Sequence, residues 1–472
     1  MSRIVKTLAL ALAAFSMNVA EAQVWEKFIR PGMSYRMEVD NTGPRLIHVI
    51  RLSPFAPGLT LKPEVAGTRL FSIPTDKGRE DLSTMVKRTG AIAGINADFF
   101  PFTADPLGAM VRDGQLLSRP DPRRAVFGWG RNAITLGKLD FKAAMVLPSS
   151  ERVELNGLNE ETLENSLVLY TDDAAFALAK SPCLYLQVSL PDNRWTPTTK
   201  KKVTAVAFYE DRDQIEVQPG GAILAARGAK AILLRKIKPG EKFDIELETT
   251  GFDWKAIDQV VGGGPFLLRD KLPITDSEAQ GFREGFYKNR HPRTAIGRTA
   301  KNEILLIIVD GRQDMSVGCS IAELTEIAAR LGCVDAINLD GGGSSTINLF
   351  GLTLNRPSDG QERKIANAVL LMGDPPKESD VEFSLKLPAS LVPGAISQLL
   401  VEGPGGRPIS HNEVFWAAQG EGWIDQGGKL RAMKPGLVTI SAYLRGKLLK
   451  ATLEIKGPQP QPTSPPKSGN EF

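Results

Sequence analysis

The stretch ILLIIVDGRQDMSVGCSIAELTEIAARLGCVDAINLDGGGSS, residues 304–345, places two apolar runs on either side of a segment with helical spacing. Ile304 to Val309 and Val334 to Leu339 read as strands. Between them, Ile321, Leu324, Ile327, Ala328 and Leu331 recur at helical intervals, Ser320 and Glu323 stand where a capping box belongs, and Gly332 follows the last turn. A strand, helix, strand unit of this kind normally closes as a right-handed crossover between parallel strands. Cys319 and Cys333 then sit at opposite ends of one helix, about 18 Å apart at about 1.5 Å per residue, too far for a disulfide.

Outward from this unit, residues 85–373 alternate strand-like runs such as Ala91 to Ile95 with helix-like ones. The expected fold is therefore a mixed α/β (α+β) domain, a mixed sheet flanked by helices. Residues 23–84 read as short strands and turns packed on that domain, broken by Pro54, Pro57, Pro63 and Pro74. The polar break from Gly373 to Ser379 marks a boundary, after which period-two stretches in 380–456 predict a small C-terminal β-sandwich expected to fold on its own and to supply no catalytic residue. Residues 1–22 carry the pattern of an export signal: Arg3 and Lys6, an apolar run from Leu8 to Phe15, and Ala20-Glu21-Ala22 before Gln23. Residues 457–472, rich in Pro and Ser, read as a disordered tail.

The 472 residues hold 58 basic and 54 acidic side chains, and no single-sign block of five, so nothing reads as a nucleic-acid tail. No run after the signal is long enough to span a membrane, and the protein is expected to be periplasmic or extracellular. Three scattered His and three Cys argue against a zinc site or a disulfide framework.

Five segments hold residues that a core does not want: Asn96-Ala97-Asp98-Phe99-Phe100, Gly262-Gly263-Gly264-Pro265, His291 to Gly297, Asp310-Gly311-Arg312, and Asn338 to Ser345. Their shared form is a strand ending in a carboxylate or amide and glycine, and such ends can face one crevice. Asp310-Gly311 taken alone also reads as an ordinary turn. Asp340, before three glycines and two serines, is harder to read as turn alone, because backbone N–H groups there can approach an anion.

Taken in order, NADFF at 96–100, GGGP at 262–265, HPRTAIG at 291–297 and NLDGGGSS at 338–345 resemble the phosphodiester glycosidase family over about residues 85–373. ENSLVLYT at 164–171 and AILAARG at 222–228 agree in order. The C-terminal segment resembles bacterial immunoglobulin-like domains through Trp416, the turn and strand from Gly427 to Ala432, and Pro435-Gly436.

The family resemblance implies hydrolysis between a sugar anomeric carbon and a phosphodiester, with a carbohydrate or phosphoglycan as the partner. Under that reading Asp340 is the preferred carboxylate and Asp310 and Asp98 are alternates; His291 is a general acid or a phosphate contact. Arg293 and the Gly341, Gly342 and Gly343 N–H groups, with Ser344 and Ser345, would meet the phosphate, Asn96 would orient the sugar or a neighbouring carboxylate, and Arg312, Gly263 and Gly264 are further substrate-binding candidates. The reaction requires no cofactor; a divalent cation, Ca²⁺ or Mg²⁺, held by two of these aspartates stands as an alternative. A non-catalytic envelope glycan-binding protein and a glycosidase of ordinary glycosides are the competing functions, and the C-terminal segment is a further candidate for contact with envelope glycan.

Overall fold

The structure, a computed structural model, describes residues 22–457 apart from 42, 74–77, 181, 211 and 275–279. The export-signal and tail readings lie outside the described residues, save Ala22 and Gly457. Antiparallel sheet dominates: 47% strand against 9% helix, with four α-helices among the described residues. The expectation of a mixed α/β domain is thereby corrected. Antiparallel strands need only short turns, whereas parallel crossovers need a dozen or more residues. The apolar runs between 125 and 250 are joined mostly by such turns, and Ile321–Arg330 is the longest helix, at 10 residues.

One eight-stranded sheet runs, in order, Gln23–Arg30, Met33–Asp40, Arg45–Leu52, Ile304–Val309, Arg293–Thr299, Cys333–Asn338, Phe266–Arg269 and Leu272–Pro273, every pairing antiparallel. The strand, helix, strand unit is present. Its two strands run parallel because each is antiparallel to Arg293–Thr299, which lies between them. The capping box forms, with Glu323 N donating to Ser320 Oγ (3.2 Å) and Ser320 N to Glu323 Oε2 (2.9 Å). Gly332, at φ +94°, takes the left-handed turn that ends the helix. Cys183, Cys319 and Cys333 are free and buried; burial pushes the thiols of Cys319 and Cys333 up to about 12.

Residues 23–84 are not laid onto a finished domain. Arg45–Leu52 pairs directly with Ile304–Val309, and Leu59–Val65 pairs with Asn367–Gly373 in a five-stranded sheet that also holds Ala93–Asn96. A second five-stranded sheet contains Gln259–Gly263 beside Ala125–Trp129, and a second eight-stranded sheet covers most of 140–250.

Residues 380–456 form three short sheets around Trp416, Leu430, Val438 and Ile440. Neighbouring side chains join the main core instead. Phe415 and Tyr443 pack with Tyr35, Ile95 and Leu371, and Phe350 stacks on Tyr443 with ring centroids 4.6 Å apart. Lys27, fully buried at this junction, donates to the carbonyls of His411 (2.8 Å) and Val414. Burial, partly offset by Asp425, lowers its pKa from 10.5 to about 7. A depressed folded-state pKa means that stability is full above about 10.5 and is lost as pH falls toward 7. Raising the pH from 7 to 9 should therefore stiffen the junction, and Lys27→Met should remove that gain in thermal midpoint; parallel pH dependence in the two proteins would refute the assignment.

Candidate active site

Sheet register places the candidate residues. Arg293–Thr299 runs antiparallel to both neighbours, so its beginning, with His291 and Arg293, lies between the ends of Ile304–Val309 and Cys333–Asn338, which lead into Asp310 and Asp340. The two five-stranded sheets close on this edge. Asn96 Nδ2 donates to Asp340 O (2.7 Å), and Asp340 N donates to Ala97 O (2.8 Å). Asn96 Oδ1 accepts from Thr294 Oγ1 (2.8 Å) and Thr346 N (3.2 Å), so this buried amide ties three strands together. A Cβ on Gly263 would stand 2.6 Å from Asn338 O, and one on Gly262 would stand 2.5 Å from Asp98 Oδ2. Only glycine allows that approach. Gly264 N donates to Asn338 O (2.7 Å), which completes the seam.

Asp340 is half-buried. Its Oδ1 accepts from Gly341 N (2.9 Å), and its carboxyl also bonds Ser344. Desolvation, outweighing those bonds and helped by the nearby charge of Asp98, pushes its pKa up to about 6. Asp98 is buried, with Oδ1 accepting from Phe99 N (2.8 Å) and Oδ2 from Gly108 N (2.7 Å); burial raises its pKa against the pull of Arg124. Asp310 is also buried and fully engaged, taking Asn355 Nδ2 (2.9 Å) and Arg356 N (2.9 Å), with His48 Nε2 3.8 Å away. Asn355 Nδ2 also holds Ser345 O (3.0 Å), so Asp310 is tied through Asn355 to the end of the glycine turn.

The basic residues divide by role. Arg293 is 1% exposed, and its Nε and Nη2 donate to the carbonyls of Cys319, Phe286 and Asn289 while the guanidinium stacks 4.6 Å over Phe286. Those groups are spent on backbone rather than offered to a phosphate. Arg312 is exposed, with Nη2 3.4 Å from His291 Nδ1 and 3.1 Å from where a Cβ on Gly342 would be. Burial and the charges of Arg293 and Arg312 lower the pKa of half-buried His291 below 6.5, which leaves it neutral at pH 7.

The expected anion cradle is also altered. Gly341 N is taken by Asp340 and Gly342 N by Pro292 O (2.9 Å), which leaves Gly343 N as the member of the three not engaged by those groups. Ser345 Oγ lies 3.1 Å from Thr294 Oγ1, to which it donates while the Thr294 proton goes to Asn96, and it faces inward.

Sequence reading passed over Thr294, Asn355, Arg363 and Arg124. Arg363 lies against Gly343, paired with Asp359 at 2.7 Å, and its charge reaches Asp340. Arg124 lies over the rings of Phe99 (4.7 Å) and Phe282 (5.1 Å), 3.9 Å from Asp98 Oδ1. Thr294 was in a quoted motif and could have been marked by its position next to Arg293. Arg124 reaches the site only through the pairing of Ala125 with Gly263, for which no local signal exists.

Among the described residues no group of three or more His, Cys, Asp or Glu is placed to hold a metal ion. Asp98 accepts from Phe99 N and Gly108 N, and Asp340 accepts from Gly341 N and bonds Ser344.

Residues 200–372 match the phosphodiester glycosidase family. The match takes in four of the five segments and leaves out Asn96 and Asp98, so it is shorter than the 85–373 read from sequence. A prophage-derived uncharacterized protein of Bacillus subtilis is 34% identical over 120 residues, 25% of this chain and 18% of that protein. The N-acetylglucosamine-1-phosphodiester alpha-N-acetylglucosaminidase of Bos taurus is 42% identical over 110 residues, 21% of each chain. The chain thus spans about a fifth of the length of these relatives. A hypothetical protein from Synechocystis shares the fold, with a TM-score of 0.62 at 23% identity over 73% of this chain and 62% of that one. Among the described residues no helix is long and apolar enough to cross a membrane.

Proposed function

We propose that the protein is an exported, periplasmic or extracellular hydrolase that cleaves the bond between a sugar anomeric carbon and a phosphodiester, acting on phosphate-containing glycans. The observation that carries this reading is the setting of Asp340: one carboxyl with its pKa near 6, beside a glycine turn flanked by the guanidinium groups of Arg312 and Arg363. A carboxyl poised there can take a proton from water near neutral pH. Water oxygen bonds to C1, the C1–O bond breaks with its electron pair going to the phosphate oxygen, and Asp340 receives the water proton. The departing phosphate monoester is a good leaving group, so neutralising its charge matters more than protonating it. Arg312 and neutral His291 face it, while Asp98, Asp310, Asn96 and Arg293 hold the surrounding backbone.

The test is a matched pair of substrates, phenyl hexose 1-phosphate and phenyl hexoside, in ¹⁸O-labelled water. The expected result is hydrolysis of the phosphodiester with the label at the hexose C1, and a preference over the plain glycoside of at least about 10³-fold. Label in the phosphate, or equal turnover of the two, would sink the reading; turnover of neither would favour a glycan-binding protein.

A further inference from the structure

Arg124 stands just before the strand Ala125–Trp129, whose pairing with Gln259–Gly263 carries it to the site. Its side chain is 13% exposed, and the guanidinium lies against the rings of Phe99 (4.7 Å) and Phe282 (5.1 Å). Nε and Nη2 are buried and, among the described residues, donate no hydrogen bond. A buried charged donor left in that state is costly, so packing alone does not account for an arginine here. Two acids act on it. Asp121 is already taken by Arg123, whose Nε and Nη2 reach its two oxygens at 3.0 and 2.8 Å. The other is Asp98, with Oδ1 3.9 Å from Arg124 Nη2.

Asp98 occupies a slot that admits no side chain on two sides: a Cβ on Gly108 would come within 2.8 Å of its Oδ2, and one on Gly262 within 2.5 Å. Its hydrogen bonds come from the N–H groups of Phe99 and Gly108. These dipoles and Arg124 work against the burial that raises Asp98, and Asp121 adds to the rise. The preceding residue, Ala97, accepts from Asp340 N (2.8 Å), so the two carboxyls hang from backbones in direct contact. At Asp340 the pKa of about 6 comes first from desolvation, with the charge of Asp98 adding to it and Ser344, Gly341 N and Arg363 opposing. Arg312 and His291 stand on the Gly342 side of the turn.

We propose that Arg124 is a positioning residue, which keeps Asp98 as a carboxylate beside Asp340 and thereby sets the pH above which Asp340 works as a base. The proposal rests on the role given to Asp340 above. Without its cation Asp98 takes up a proton at higher pH, Asp340 loses the like charge next to it, and Asp340 ionises more readily. A direct pull of Arg124 on Asp340 would act in the opposite sense, because removing a cation makes a carboxyl harder to ionise. The sign of the shift therefore separates action through Asp98 from direct action.

The experiment uses the full chain with ¹³C-labelled aspartate carboxyls, the Asp340 resonance being the one lost in Asp340→Asn, together with the pH profile of kcat/KM for phenyl hexose 1-phosphate. Arg124→Gln is expected to lower the Asp340 titration, and the acid limb of the profile with it, by about one pH unit. Asp98→Asn should give the same shift and the double variant no more than either alone. Arg124→Lys, which keeps the charge, should titrate like the wild type. A shift that is absent or upward in Arg124→Gln, or shifts that add in the double variant, overturns the proposal; so does a raised KM with an unmoved limb, which would make Arg124 a substrate contact. Should Asp98→Asn not fold, the sign in Arg124→Gln decides alone. If the wild type hydrolyses nothing yet the Asp340 resonance moves as expected, the hydrolase reading fails and the coupling of Arg124, Asp98 and Asp340 stands.

Discussion

Replacing Asp340 by Asn is expected to reduce turnover by about 10³-fold or more and, at the same time, to make the protein more stable at neutral pH. The second effect follows from the raised pKa of the carboxyl. Desolvation and the charge of Asp98 hold the Asp340 pKa near 6, above the ordinary 3.8. A raised folded-state pKa means that the contribution to stability is full below about 3.8 and is lost as pH rises through 6. Above pH 6 the ionised carboxylate is therefore a strain on the fold, about two units at about 1.4 kcal/mol each before allowance for its partial exposure, so about 1–2 kcal/mol. Asn keeps an oxygen for Gly341 N and carries no charge. Chemical denaturation of the two proteins should show the variant ahead at pH 7.5 and the difference gone at pH 3.5. The wild-type kcat/KM should climb through pH 6 as the base ionises. A stability difference that is flat with pH, or a variant with near-normal turnover, would move the catalytic role away from Asp340.

The candidate site was partly legible in sequence for a local reason. Asp340, His291, Asn96 and the glycine runs stood out because each breaks the local pattern: a polar or glycine residue at the end of an apolar strand has no packing reason to be there. The helix after Ser320 was legible to the residue, since capping and apolar spacing are both local. Global topology was not. The strand Arg293–Thr299, inserted between two strands that looked adjacent, comes from earlier in the chain, and only pairing across the sheet reveals it. Arg293 misled in a similar way. An arginine beside a histidine and acidic loops reads as an anion contact, yet its Nε and Nη2 bind three backbone carbonyls, while Arg363, some 70 residues further on in an unremarked loop, stands against the turn. The proline-rich break after Gly373 gave no sign that Phe415 and Tyr443 join the main core, because composition marks a linker but cannot show what the following strands pack against.

Ending the chain at Gly373 is accordingly expected to abolish cooperative folding rather than release a smaller active enzyme. The C-terminal strands lend Phe415 and Tyr443 to the main core, where they cover Tyr35 and Phe350. Deleting one such buried aromatic costs about 3–5 kcal/mol. Two removed together, with the carbonyl partners of Lys27, approach the whole stability of a typical domain, about 5–15 kcal/mol. The damage also has a path to the site. Arg356 Nη2 donates to Gly420 O (3.2 Å) in the C-terminal unit, while the Arg356 backbone N–H holds Asp310, which holds Asn355 and through it Ser345. Losing Gly420 loosens the first link of that chain. Full-length Phe415→Ala provides the graded test: its unfolding midpoint should fall by the equivalent of about 3–5 kcal/mol while the fold survives. A truncated protein that is monomeric, unfolds cooperatively and turns over small phosphodiesters at the full-length rate would show that the junction is dispensable and that the boundary read from composition is the true one.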